Sequence, residues 1–171
     1  MQSSNAGHAP EDEYCALAEF RYLIRDFLAA SERIARAHGL SPQQHQLLLA
    51  VRGCPPGTKP TIGYLARRLL IRHHSVVGLV NRLARRGLVI RTPEGEDRRR
   101  VVVRLTAQGA AVLRDLSAEH RREIRSRAPR LVEALGAVIA LGAGDPLEGA
   151  VPPAPGKDDA IRGRARDPCV G

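Results

Sequence analysis

Two short segments of helical apolar period stand back to back in this chain, and a glycine then hands over to two β-branched runs. Ile62, Leu65, Ala66 and Leu69 form one stripe at spacings of three and four; after a turn over 70–72, Val76, Leu79, Val80 and Leu83 form a second. Thr61 is placed to cap the first helix, the second is expected over 73–86, and Gly87 is placed to end it. Residues 88–91 (Leu-Val-Ile-Arg) and 101–105 (Val-Val-Val-Arg-Leu) read as strands flanking 92–100, a hairpin with a long tip that ends in Arg98, Arg99 and Arg100. Helices this short cannot fold alone. Their order predicts a fold that is mainly α with a small β-hairpin wing: a winged helix-turn-helix.

Charge names the partner class. Residues 59–104 hold 12 of the 27 lysines and arginines but three acids, a surplus equal to the whole chain's net charge of +9. A concentrated cationic surface suits a polyanion, because each neutralised phosphate releases condensed counterions. On an ordered helix-turn-helix the expected partner is double-stranded DNA. The second helix leaves His73, His74, Ser75, Val77, Gly78, Asn81, Arg82 and Arg85 off its apolar stripe, to meet base edges or phosphates. Thr61 and the wing's Arg98, Arg99 and Arg100 complete the expected DNA-binding set, with Asp97 placed to orient a wing arginine by a bidentate pair.

Long amphipathic segments flank this unit. A helix is expected over 13–37, where Leu17, Phe20, Ile24, Phe27, Leu28 and Ile34 recur at helical spacing and four of the five aromatic residues lie, with Gly39 as its stop signal. Ser41-Pro42 opens the next, which closes near Gly53 and sends Leu47, Leu48 and Val51 inward. Thr106 caps a helix expected to run to Arg127, and Leu131, Val132, Leu135, Val138 and Ile139 continue an apolar stripe after Pro129. Two terminal amphipathic segments need a covering surface, which a homodimer supplies. The expected division is a flexible leader over 1–11, dimerisation helices over 12–38 and 107–141, the winged helix-turn-helix over 41–105, and a Pro- and Gly-rich disordered tail over 142–171.

The sequence resembles the MarR family of transcription regulators in three places: Leu83-Ala84-Arg85-Arg86-Gly87-Leu88-Val89-Ile90-Arg91, Asp97-Arg98-Arg99, and Leu105-Thr106-Ala107-Gln108-Gly109. The likeness runs over 17–141. It implies a homodimer with interlocked terminal helices, two lobes reaching successive major grooves of a pseudopalindromic operator, and repression relieved by a small-molecule effector or an oxidant. It also implies that Arg99, two residues after the wing aspartate, enters the minor groove. Val77 and Gly78 depart from the polar or basic residues that most members place there. The effector pocket is expected between the dimerisation helices and the DNA-binding lobe, near Phe20, Phe27 and His45, with His38 and His45 at surface or dimer-cleft positions.

Other chemistries find little footing. There is no phosphate-binding glycine loop, no paired carboxylates in an apolar setting and no nucleophile in a recognisable motif, so no enzyme and no cofactor is implied. His73 and His74 are adjacent on a helix and point apart with no ligand-spaced partner, so no metal site is expected. Cys15, Cys54 and Cys169 are an odd set without metal spacing. Cys15 sits where peroxide-sensing members of the family carry their cysteine, which makes a thiol-responsive regulator one alternative; the chain lacks that branch's tyrosines around Ala30 and Leu40, and a small apolar helix residue is the plainer reading. A non-specific architectural DNA-binding protein is the other alternative. No apolar run spans a bilayer and residues 1–10 lack a signal-peptide pattern, so a cytoplasmic protein is expected.

Overall fold

The computed structural model describes residues 10–94 and 97–142, and at 10, 94, 97–100 and 142 the backbone only. The expected tail and most of the expected leader lie outside the described residues. The order is α1 (Pro10–Ala37), α2 (Pro42–Arg52), α3 (Ile62–Leu69), α4 (His73–Arg85), β1 (Val89–Glu94), β2 (Asp97–Leu105) and α5 (Ala107–Gly142). This is the mainly helical winged fold that the sequence predicts. Among the described residues no helix is long and apolar enough to cross a membrane.

Local chemistry sets the boundaries. α1 begins at Pro10, inside the expected leader, because proline suits the first helical turn and Glu11, Asp12 and Glu13 complement the dipole there. Ser41 closes a capping box with Gln44, its hydroxyl accepting the Gln44 N–H and the Gln44 side chain accepting the Ser41 N–H. Thr61 caps α3 by accepting the Tyr64 N–H at 3.2 Å. The turn between α3 and α4 is made by Leu70 in the left-handed region (φ 55°), and Ile71 N–H returns to the Ala66 carbonyl at 3.2 Å. Gly87 (φ 69°) ends α4 with the same device, Leu88 N–H donating to the Leu83 carbonyl at 3.0 Å.

Two elements differ from expectation. The wing's strands run further than 88–91 and 101–105: Pro93 pairs with Val101 and, after a bulge, Glu94 with Asp97, so the strands extend into the expected loop. The pairing gains a foothold outside the hairpin, where Val103 N–H donates to the Pro60 carbonyl at 3.0 Å and Thr61 bridges Val102. α5 does not stop near Arg127 but continues through Pro129. A mid-helix proline costs about 3 kcal/mol, and packing on α1 offsets it: Arg127 pairs with Asp26 on α1 and Glu123 on α5, Arg130 reaches Glu19 at 3.3 Å, and Leu116 and Ala134 are buried either side.

The core sits where α2, α3, α4, the hairpin and the first part of α5 meet. Leu47, Leu48, Leu65, Val76, Val80, Leu83, Val103 and Leu116 are fully enclosed there. Its closest joint is backbone against backbone. A Cβ built on Gly109, in the first turn of α5, would fall well inside contact distance of the Leu88 carbonyl. Only glycine lets α5 seat this low against the end of α4.

Candidate nucleic-acid interface

α4 is built as a two-faced helix. Val76, Leu79, Val80 and Leu83 are buried, which holds the opposite side outward: His73, His74, Asn81, Arg82 and Arg85 are exposed, while Ser75, Val77 and Gly78 are half-buried along its flank. Seven of the eight residues singled out on this helix lie away from its core-facing stripe, whereas Val77 packs against the core. α3 packs behind it, with Ile62 and Leu65 buried. Thr61 is half-buried at the start of α3, its hydroxyl engaged with the α3 N–H group and its backbone bridged to the wing.

The wing rises beside the exposed side of α4. Strand alternation puts Val89 and Arg91 on the hairpin face that carries the buried Val103, and from there Arg91 Nη1 donates to Asn81 Oδ1 at 2.8 Å. That bond ties the wing to α4. Arg91 was not singled out in the sequence; the alternation Val89, Arg91 opposite Val103 was its available signal. The backbone places Asp97, Arg98, Arg99 and Arg100 on β2, and their side chains lie outside the described residues.

Not every cation in the basic segment faces this surface. Arg86, the residue after α4, turns to the α1–α2 connection and donates to the Gly39 carbonyl at 2.9 Å and to Gln44 Oε1 at 3.4 Å. It satisfies carbonyl and amide groups of the fold. Arg68 lines a cavity of about 550 Å³ between α1, α2 and the α3–α4 turn, together with Ser31, His45, Leu49 and Ile71.

His45 belongs to that cavity wall but not to the surface: it is 3% exposed, where a surface or dimer-cleft position was expected. The reason is its place on α2 beside Leu47 and Leu48, facing α5, where its ring lies 4.4 Å from that of His120. Burial first, and the neighbouring His120 second, push its pKa down to about 4. His120 is held by two contacts. Nδ1 donates to the Leu116 carbonyl, which only accepts, at 3.1 Å, and Nε2 shares a hydrogen bond with the Ser31 hydroxyl at 2.7 Å. His38 is half-buried, 3.1 Å from Glu119. Phe27 lines a different cavity, of about 290 Å³, with Asp26 and Arg127 between α1 and α5; Phe20, half-buried, lines neither. The structure thus does not bring Phe20, Phe27 and His45 together around one space.

Cys15 is exposed and free near the start of α1. Cys54 is free in the α2–α3 connection, its Sγ 3.4 Å from the Thr58 carbonyl, and Cys169 lies outside the described residues. Among the described residues no group of three or more His, Cys, Asp or Glu side chains is arranged to hold a metal ion.

Comparison with known proteins finds likenesses to this geometry. Residues 38–100 match the MarR family model. Over 80 residues the chain is 34% identical to the transcriptional activatory protein BadR of Rhodopseudomonas palustris, a match that covers 47% of this chain and 46% of that protein. Its fold is similar to that of AbsC, a MarR family transcriptional regulator from Streptomyces coelicolor, with a TM-score of 0.65 at 19% identity over 80% of this chain and 93% of the other. It is also similar to a mutant of MepR from Staphylococcus aureus bound to an oligodeoxyribonucleotide, with a TM-score of 0.54 at 17% identity over 71% and 90% of the two chains. The likeness to the MarR family lies in the part of the winged helix-turn-helix that residues 38–100 build.

Proposed function

We propose that this protein is a sequence-specific regulator of transcription that binds duplex DNA as a homodimer, with α4 in the major groove and the wing in the adjacent minor groove. The observation that carries the reading is the two-faced α4: a buried stripe of Val76, Leu79, Val80 and Leu83 fixes the helix, and His73, His74, Asn81, Arg82 and Arg85 stand exposed beside a basic hairpin. The solved MepR complex, in which a protein of this fold holds an oligodeoxyribonucleotide, supports the choice of partner.

The terminal helices support the homodimer. α1 buries Leu23, Ala30 and Ala35 within its own chain, yet Leu17, Tyr22 and Leu28 remain exposed; on α5, Ile124, Val132, Leu135 and Ile139 do so too. Exposed apolar residues on two paired helices are what a second copy covers. Dimerisation sets two α4 helices about one duplex turn apart and calls for a pseudopalindromic operator. The protein acts in the cytoplasm, as a repressor released by a small-molecule effector.

Selection from a randomised duplex library at physiological salt tests the reading: an inverted repeat with half-sites one turn apart is expected. A non-specific architectural binder would enrich no half-site, and a thiol-responsive regulator would lose the enriched site on reversible oxidation of Cys15. A promoter reporter decides the sense of control, since expression should rise when the gene for this protein is deleted. The BadR relative is named for activation, and a fall in expression would assign that sense here.

A further inference from the structure

The bond between Arg91 and Asn81 changes what the recognition helix can read. We infer that Arg91 is a positioning residue that fixes Asn81 as part of a donor-rich unit, selecting guanine over adenine at the base pair that Asn81 faces. The inference rests on α4 entering the major groove, as proposed above.

An asparagine by itself suits adenine, because its carbonyl accepts from the N6 amino group while its amide donates to N7. A guanidinium carries donors only, so the Asn81 atom 2.8 Å from Arg91 Nη1 is the carbonyl oxygen, and the amide nitrogen is turned the other way with two N–H groups. One of the two lone pairs of the acceptor that adenine requires is thereby taken, and the cation beside that oxygen weakens it as an acceptor for a further N–H. The Asn81 amide and the other N–H groups of Arg91 add donors, so the exposed pair is rich in donors. Guanine presents two acceptors, O6 and N7; adenine presents one acceptor and one donor. The pair therefore complements guanine, and leaves the adenine N6 amino group only an acceptor already shared with a cation.

The geometry is specific to this placement. Arg91 reaches α4 because strand alternation puts it on the face of buried Val89 and Val103 rather than on the outer face with Ile90 and Arg104. Asn81 shares an exposed row with His74 and Arg85, and Gly78, one turn before it, has no side chain to hold a base edge away. A Cβ at Gly78 would meet only the far end of the Arg82 side chain, in ordinary contact with Nη1 at 3.6 Å.

Site selection with the wild type, Arg91→Ala, Arg91→Lys and Asn81→Ala tests the inference, and both side chains are exposed, so the core is undisturbed. Asn81→Ala identifies the contacted position as the one whose preference disappears. At that position the wild type should select guanine, Arg91→Lys should keep it, and Arg91→Ala should shift the guanine-to-adenine ratio towards adenine by about tenfold. A wild type that selects adenine there, or an Arg91→Ala protein that binds all sites more weakly with the same preference, overturns it. Failure of the wider reading looks different: the wild type then enriches no half-site at all, and both ideas fall together.

Discussion

Thr106 Oγ1 donates to the Gly87 carbonyl at 2.6 Å and accepts the Gly109 N–H at 2.9 Å. One hydroxyl thus joins the glycine that ends α4 to the first turn of α5. Thr106 N–H adds a bond to the Leu88 carbonyl at 3.1 Å. The helix expected to mediate dimerisation is bolted directly to the end of the helix expected to read DNA, with no flexible connection between them.

Gly109 is where that joint leaves no room. Gly109→Ala drives a methyl into the Leu88 carbonyl, and the backbone must shift. Chemical denaturation should show a loss of about 2–4 kcal/mol, although alanine is the better helix former. An unchanged midpoint would mean that α5 does not seat on Leu88.

Leu70 offers the opposite test. It holds a left-handed conformation while 91% exposed, so the fold bears the strain and gains little burial from the side chain. Leu70→Gly should raise stability by about 0.5–1 kcal/mol, measured by thermal or urea unfolding. A destabilised variant would contradict this account of the α3–α4 turn.

His45 predicts a pH dependence. Its folded pKa, about 4, lies below the ordinary 6.5, so the unfolded chain takes up the proton first as the solution is acidified. The contribution is fully present above 6.5 and is lost as pH falls from 6.5 towards 4. The facing groups are His120, with Ser31 behind it; no carboxylate is among the causes of the shift. The difference in stability between the wild type and His45→Leu should shrink across that window by at most about 3 kcal/mol. A difference independent of pH would show that the histidine is not buried neutral.

Binding should separate the two kinds of contact. Arg99→Ala is expected to weaken association with most duplexes alike and to lower the salt slope by about 1. Arg82→Ala is expected to relax preference at one position by about 1–3 kcal/mol. Anisotropy titrations against specific and scrambled duplexes read both effects, and an Arg99→Ala protein that binds normally would remove the wing from the interface.

Much of this was legible in the sequence because local signals and burial agreed. Thr61, Leu65, Leu79, Leu83 and Gly87 lie in the structure where cap, stripe and stop place them. The α1 stripe was less direct: Leu17 and Leu28 have helical spacing but stay exposed in the single chain, since periodicity marks an apolar face without saying which chain covers it. Pro129 was read as a break because its local cost was legible, whereas the packing of α5 on α1 that offsets it spans a hundred residues. Arg86 and Arg91 counted equally as charge, yet one caps Gly39 and the other holds Asn81; long side chains choose partners in three dimensions, and composition cannot sort them.

The central claim is that two α4 helices enter successive major grooves on one face of a duplex with the wings outside them, and footprinting of the complex on a selected site tests it most directly. Methylation protection should appear at guanine N7 in two patches centred about 10 base pairs apart, with hydroxyl-radical protection of the flanking minor grooves that Arg99→Ala removes. Continuous, unphased protection along the duplex would contradict the account.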